Sequence, residues 1–302
     1  MKIAILGAGA MGGLYGAYLS LHNQVTLIDT NADIVRIINE KGLEVRTKDG
    51  TAKIYHPSAA LAPYGGQSVD LVIVFTKSLH THEALSQNRA LLGNNTYILT
   101  LQNGSGHEDV LSQFTQGQRV LIGTTQHNAD ISEPGILNHK GVGATHIGSL
   151  SGETQNILHI AQAFNVCGLE TIISNDVQKV VWNKLFTNVS ASALTAVFQV
   201  PLGTVSANPH IWDICCRLIK ETVDVAAAMG MSFDYEQKAA EVKAVCDNNP
   251  HGLTSIYLDV KNGRKTEVDT ISGSVIKSGR KHGVPTPNHC FVVDYVKAKE
   301  DL

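Results

Sequence analysis

The chain has no C-x-x-C pair, and its five cysteines, Cys167, Cys215, Cys216, Cys246 and Cys290, fall in segments that read as helical or core-like. An odd set without paired spacing excludes a disulfide framework and a dithiol redox centre, and predicts reduced thiols in a cytoplasmic setting. No apolar run approaches the ~20 residues that cross a bilayer, so no membrane association is expected. The apolar stretch after Lys2 has some look of a secretion signal, but its glycine spacing and the strand that follows at once explain it better. An excess of one charge is also missing. The formal net charge is −3, and the lysines and arginines are scattered apart from a short cluster at Lys277 to Lys281, which leaves no basic field for nucleic acid or anionic lipid. Repeats, low-complexity tracts and flexible Gly/Ser linkers are absent as well. What remains is 302 residues, 43% hydrophobic and 17% charged, enough for about two domains with a sizeable core.

The richest stretch opens the chain. Lys2-Ile3-Ala4-Ile5-Leu6 reads as a buried strand running straight into Gly7-Ala8-Gly9-Ala10-Met11-Gly12, a G-x-G-x-x-G turn, and then into a helix-compatible run to Leu21. Gly7 permits the tight turn, Gly9 lets the backbone approach a pyrophosphate, and Gly12 lets helix and strand pack closely. The N–H groups at the helix start attract the anion. Gln24 to Ile28 reads as the next strand, and Asp29 ends it, where a carboxylate accepts hydrogen bonds from ribose hydroxyls. A 2′-phosphate at that place would be repelled, so NAD(H) is expected over NADP(H), with NADP(H) left open. The alternative for Asp29 is a cap on the helix starting near Ala32, a task that Asn31 or Thr30 could perform equally well.

Further along, Val69 to Thr76, Thr96 to Leu101 and Arg119 to Thr125 are short, apolar and rich in β-branched residues, the signature of a buried and mostly parallel sheet. After Ser151 strand signals nearly vanish except at Glu170 to Ile173. Helix-period segments take over at Val177 to Phe198, Ile211 to Met229, Tyr235 to Asp247 and Val268 to His282. The expected fold is therefore α/β: a Rossmann-type, doubly wound sheet domain over 1–170, followed by an all-helical substrate domain over 171–302. A homodimer is the default expectation for such a chain.

Lys184, Asn188 and Ser192 are spaced four apart in Val181 to Ser192, and so share a helix face flanked by the apolar Val181, Leu185 and Val189. A lysine on a largely apolar helix is costly to bury unless it works, and a desolvated ammonium gives up its proton more readily. The competing account is a lysine that snorkels over a polar stripe. Asn103 follows the strand ending at Leu101, Lys77 follows the strand ending at Thr76, and Ser255 and Glu267 flank the break Asn262-Gly263-Arg264. Strand carboxyl ends are where ligands sit in such sheets, although each of these residues is individually also a common turn former or solvated charge.

Taken together, Gly7-x-Gly9-x-x-Gly12, Thr76-Lys77, Asn103-Gly104, Gly123-Thr124-Thr125-x-His127-x-Ala129, Pro134-Gly135, Thr145-His146-Ile147-Gly148, Trp182-x-Lys184-Leu185-x-x-Asn188, Thr254-Ser255 and Gly263-Arg264-x-Thr266-Glu267-x-Asp269 resemble the ketopantoate reductase family over the whole chain. The resemblance implies that Lys184 donates a proton to the keto oxygen and that Asn188 contacts substrate. It also implies that Asn103 touches nicotinamide and substrate, that Ser255 holds the substrate carboxylate, and that Lys77, Ala129 and Glu267 contact the cofactor. No metal is implied. Two positions depart from the family, which places asparagines where this chain has Ser192 and Leu202, both used on the hydroxylated tail of ketopantoate. With Asp29, these departures resemble the branch that reduces apolar 2-oxo acids with NADH to D-2-hydroxy acids, of the D-mandelate dehydrogenase kind. That is the expected activity. The alternatives are ketopantoate reduction itself, a β-hydroxyacid dehydrogenase, which the Asn103-Gly104 and Ser255-to-Glu267 features fit poorly, and a protein that senses NAD(H) without turnover.

Overall fold

The computed structural model describes residues 1–302 and divides them into two compact units, Met1–Gln102 with His107–Val180, and Asn103–Gly106 with Val181–Leu302. All strands lie in the first unit: β1 (Lys2–Leu6), β2 (Gln24–Asp29), β3 (Leu43–Thr47), β4 (Ala52–Tyr55), β5 (Ser58–Leu61), β6 (Leu71–Val74), β7 (Tyr97–Thr100), β8 (Val120–Thr125), β9 (Asn128–Glu133), β10 (Ile136–Gly141), β11 (Thr145–Ser149) and β12 (Thr171–Ile173). Eight of them form one sheet in the order β12-β11-β8-β7-β6-β1-β2-β5, parallel throughout except for β8 against β11. β1 is flanked by β2 on one side and β6 on the other, so the chain reverses its direction of travel across the sheet at β1. In such sheets the ligand crevice lies beyond the strand carboxyl ends at that reversal. The strands there, Ile3 to Leu6 and Leu71 to Val74, are buried on both faces, which explains why they read as unbroken apolar runs.

The helices of this unit are α1 (Ala10–Leu19), α2 (Ala32–Lys41), α3 (Thr81–Gln87), α4 (Glu108–Leu111) and α5 (Leu158–Asn165). α1 is held by a buried polar cluster as well as by apolar packing. The Tyr15 hydroxyl lies 2.8 Å from Thr125 Oγ1 and 2.6 Å from Thr145 Oγ1, and the Tyr18 hydroxyl lies 3.1 Å from His139, whose other ring nitrogen is 3.0 Å from His127. Burial holds the His127 imidazole down to about 4, so it stays neutral and the cluster carries no buried charge near neutral pH.

The second sheet was not legible from the sequence. β4, β3, β10 and β9 form it in that order, largely antiparallel. β4 and β9 are mostly exposed and lack the apolar runs that mark buried strands. The division between the units falls after Val180 rather than at residue 170, because β12 pairs in parallel with β11 and so belongs to the first sheet.

The second unit is helical. α6 (Val177–Thr187) crosses into it and continues through a π-turn, Asn188–Ser192, into α7 (Ala193–Phe198). Then follow α8 (Leu202–Ala207), α9 (Pro209–Ala228), α10 (Tyr235–Asn248), α11 (Ser255–Lys261), α12 (Ser272–His282) and α13 (Pro287–Glu300). Side-chain caps set several starts. Asn208 accepts from the N–H groups of His210 and Ile211 with Pro209 in the first turn, and Asp234 accepts from Gln237. The helical unit has its own core, including Phe186, Leu194, Val205, Leu218, Val242 and Ile256. No helix of the protein is long and apolar enough to cross a membrane.

Candidate active site

β1 ends on Leu6 and the chain turns at Gly7, whose φ is +97°. A Cβ at Gly12 would lie 1.9 Å from the Gly7 carbonyl oxygen, so only glycine allows α1 to start this close to the strand. At Gly9 the space that a side chain would fill is open, with nothing within 4 Å. Gly9 is also the N-cap of α1 and offers no side-chain cap, which leaves the helix start facing that open space. A pyrophosphate fits there, since it accepts hydrogen bonds from the helix-start N–H groups and needs the room that a Cβ would take.

Asp29 stands at the end of β2 and bends back to this loop. Its Oδ2 accepts from the Ala8 N–H at 2.8 Å and its Oδ1 from the Asn31 N–H at 2.9 Å. The capping of α2 is performed by Asn31 instead, which accepts from Asp33 and Ile34. Each Asp29 oxygen is thus used once and retains acceptor capacity for a hydroxyl. Beside it is a cavity of about 320 Å³ lined by Gly7, Asp29, Thr30, Ala62, His80 and Glu83 among others. Its wall carries two carboxylates, Asp29 and Glu83, and no lysine or arginine. Glu83, on α3, was not singled out by sequence reasoning, because nothing local distinguishes it from a solvated helix residue.

Lys77 follows β6 at the start of a short turn, Ser78–His80, with its carbonyl accepting from the His80 N–H. Gln102 was also missed from sequence. Its Nε2 donates to the Thr76 carbonyl at 2.6 Å and to Thr81 at 3.0 Å, which ties the loop after β7 to the loop after β6. Ala129 is the second residue of β9 and pairs with His139 on β10.

The second unit gathers a different set. Lys184 and Asn188 are half-buried at the junction of α6 and the π-turn. Desolvation brings the Lys184 ammonium down from the ordinary 10.5 to about 8. A group titrating there is protonated at neutral pH and still gives up its proton readily. The π-turn is supported by Ser190, whose hydroxyl donates to the Phe186 carbonyl at 2.5 Å, a back-bond that competes with regular helix. Ser192, the last residue of the turn, is buried at 9% exposure, whereas Lys184 and Asn188 are half-open. Leu202, at the start of α8, belongs to the helical core with Val205 and Val242.

Asn103 and Gly104 join this unit through Thr270. The Ser105 N–H donates to the Thr270 carbonyl at 2.9 Å, and a Cβ on Gly104, φ +100°, would stand 2.2 Å from that oxygen. Thr270 and Ile271 in turn donate their N–H groups to the Glu267 carbonyl, so Asn103 and Glu267 are bound into one loop assembly. Ser255 is the exposed first residue of α11, directly after its N-cap Thr254.

Comparison with known proteins identifies an oxidoreductase that acts on a 2-oxo acid or the matching hydroxyl group. The model of "Ketopantoate reductase PanE/ApbA" matches residues 3–152 and that of its C-terminal part matches residues 176–300. The chain belongs to the ketopantoate reductase family. The 2-dehydropantoate 2-reductase of Halobacterium salinarum is 33% identical over 301 residues, covering 98% of each chain, and that of Lactococcus lactis subsp. lactis is 31% identical, covering 100% of this chain and 99% of its own. Among solved structures, D-mandelate dehydrogenase with NADH and anilino(oxo)acetate superposes with a TM-score of 0.92 at 30% identity, covering 100% of this chain and 98% of that one.

Proposed function

We propose that this protein reduces a 2-oxo acid to the 2-hydroxy acid with NADH, and that 2-dehydropantoate is the acid the relatives' names favour. The observation that carries the reading is Lys184, a desolvated lysine titrating near 8, one helical turn before Asn188. NADH, when bound, supplies the hydride that goes to the keto carbon. Gly7 to Gly12 would hold its pyrophosphate and Asp29 its ribose hydroxyls, while Lys77, Ala129 and Glu267 give further contacts. The two carboxylates in the adenosine-side cavity, with no cation to balance a 2′-phosphate, support NADH over NADPH. Lys184 passes its proton from Nζ to the keto oxygen as negative charge develops there, Asn188 orients that oxygen, and Ser255 with Asn103 holds the carboxylate.

A second reading has its own support. The family's two tail asparagines are here Ser192, buried, and Leu202, part of the apolar core. A substrate tail reaching these positions without the two amides would favour a phenyl or branched alkyl group over a hydroxylated one, since an unpaired hydroxyl costs about 1–3 kcal/mol. The sequence alone favoured this second activity, whereas the curated relatives carry the name of the first. Steady-state kinetics with 2-dehydropantoate, phenylglyoxylate and 2-oxoisocaproate, each with NADH and NADPH, decides between them. The highest kcat/KM with 2-dehydropantoate supports the first reading, the highest with either apolar acid supports the second, and turnover of none refutes both.

A further inference from the structure

A one-way chain of hydrogen bonds joins the π-turn after Lys184 to the start of α11. The Tyr257 N–H donates to Thr254 Oγ1 at 3.2 Å, Thr254 Oγ1 lies 2.7 Å from Thr195 Oγ1, and Thr195 Oγ1 donates to the Ser192 carbonyl at 2.7 Å. A hydroxyl has one proton. Because the Thr195 proton is committed to the carbonyl, Thr254 must donate to Thr195, and each of the two threonine hydroxyls then both gives and receives. Chained bonds of this kind strengthen one another where water is excluded, and Thr195 is 0% exposed. At one end the chain grips the last residue of the turn that begins at Asn188; at the other it grips the N-cap of α11, one residue before Ser255. Ile256 anchors the same helix start in the apolar core.

We infer that Thr195 is a positioning residue for the substrate carboxylate: through Thr254 it fixes where Ser255 stands relative to the helix that carries Lys184 and Asn188. Valine has the same shape as threonine and would fill the same space, so the hydroxyl makes this link and the volume does not. The inference rests on the reading of Ser255 as the carboxylate contact.

The test uses the full chain and whichever 2-oxo acid the wild type turns over best, with Thr195→Val, Thr195→Ser, Ser255→Ala and the double variant Thr195→Val/Ser255→Ala. The readouts are KM, kcat, NADH affinity by fluorescence titration, and the thermal midpoint. Thr195→Val is expected to raise KM for the acid by about 5- to 30-fold, with kcat and NADH affinity within about twofold of wild type. Thr195→Ser restores the link and keeps KM within about twofold, and adding Thr195→Val to Ser255→Ala changes KM no further. If Thr195→Val fails to fold, Thr195→Ala removes the same hydroxyl while leaving the Thr254 cap of α11 in place, and carries the same expectation. An unchanged KM in Thr195→Val, equal damage from Thr195→Ser, or full additivity with Ser255→Ala overturns the inference while leaving the role of Ser255 intact. An unchanged KM in Ser255→Ala overturns the role of Ser255, and the inference with it.

Discussion

Replacing Asp29 by asparagine tests cofactor choice with almost no change of shape. In the wild type the carboxylate accepts from Ala8 at 2.8 Å and from Asn31 at 2.9 Å. Asparagine keeps one acceptor oxygen, so one of those N–H groups loses its partner, a local cost of about 1 kcal/mol at a half-buried position. The electrostatic term is larger. A carboxylate and a phosphate ~5 Å apart in an effective dielectric of ~20 repel by about 3 kcal/mol per unit charge pair, and solvent and salt at this partly open site reduce that to about 1.5–3 kcal/mol. The wild type should therefore prefer NADH over NADPH by about 10- to 100-fold in kcat/KM. Asp29→Asn should lower kcat/KM for NADH by about 5-fold and raise it for NADPH, bringing the two within about one decade. Steady-state assays with both cofactors at saturating 2-oxo acid measure the ratio. A wild type that already prefers NADPH, or a variant that leaves the ratio unmoved, refutes the argument.

Four other outcomes are expected. Gly12→Ala places a methyl 1.9 Å from the Gly7 carbonyl oxygen, and because that atom is backbone the loop itself must shift, so NADH affinity should fall by more than about 10-fold in a fluorescence titration. With the Lys184 ammonium as the proposed proton donor, kcat/KM for 2-oxo acid reduction should be flat below pH about 8 and fall tenfold per unit above it, while oxidation of the 2-hydroxy acid, which would use the neutral amine, should rise through the same pH. The same depressed value means that the unfolded chain holds this proton more tightly, so Lys184 adds stability as pH rises from about 8 toward 10.5, a sign that Lys184→Met should remove from a denaturation series across that range. Ser192→Asn should shift the ratio of kcat/KM toward 2-dehydropantoate and away from phenylglyoxylate; an unchanged ratio would show that position 192 does not reach the substrate tail. Leu202 is a poorer probe, because an amide there would be buried in the helical core.

Much of this was readable from the chain. The strand-turn-helix at Lys2 to Leu19 was legible because backbone geometry dictates its glycines, and Asp29 because it ends a strand at the required distance. The stretch Val177 to Phe198 was legible as one helical segment through its apolar period, but the π-turn inside it was not, since a serine back-bonding to the carbonyl four residues before it, as Ser190 does to Phe186, is equally common in regular helix. The second sheet escaped because its strands are partly exposed and lack unbroken apolar runs, and α13 because its first turn is satisfied by a distant side chain: Glu221 accepts from the N–H groups of Asn288 and His289. Gln102 and Thr195 share that reason: each is tied to residues far away in sequence, Thr76 and Thr254.

The central claim is that Lys184 is the proton donor, and single-turnover kinetics on Lys184→Ala with NADH prebound tests it most directly. Binding and chemistry separate in that measurement. NADH should bind as it does to the wild type, while the rate of hydride transfer to the 2-oxo acid falls by about 10²- to 10⁴-fold. A variant that transfers hydride at close to the wild-type rate would show that the lysine is structural and that another group protonates the oxygen.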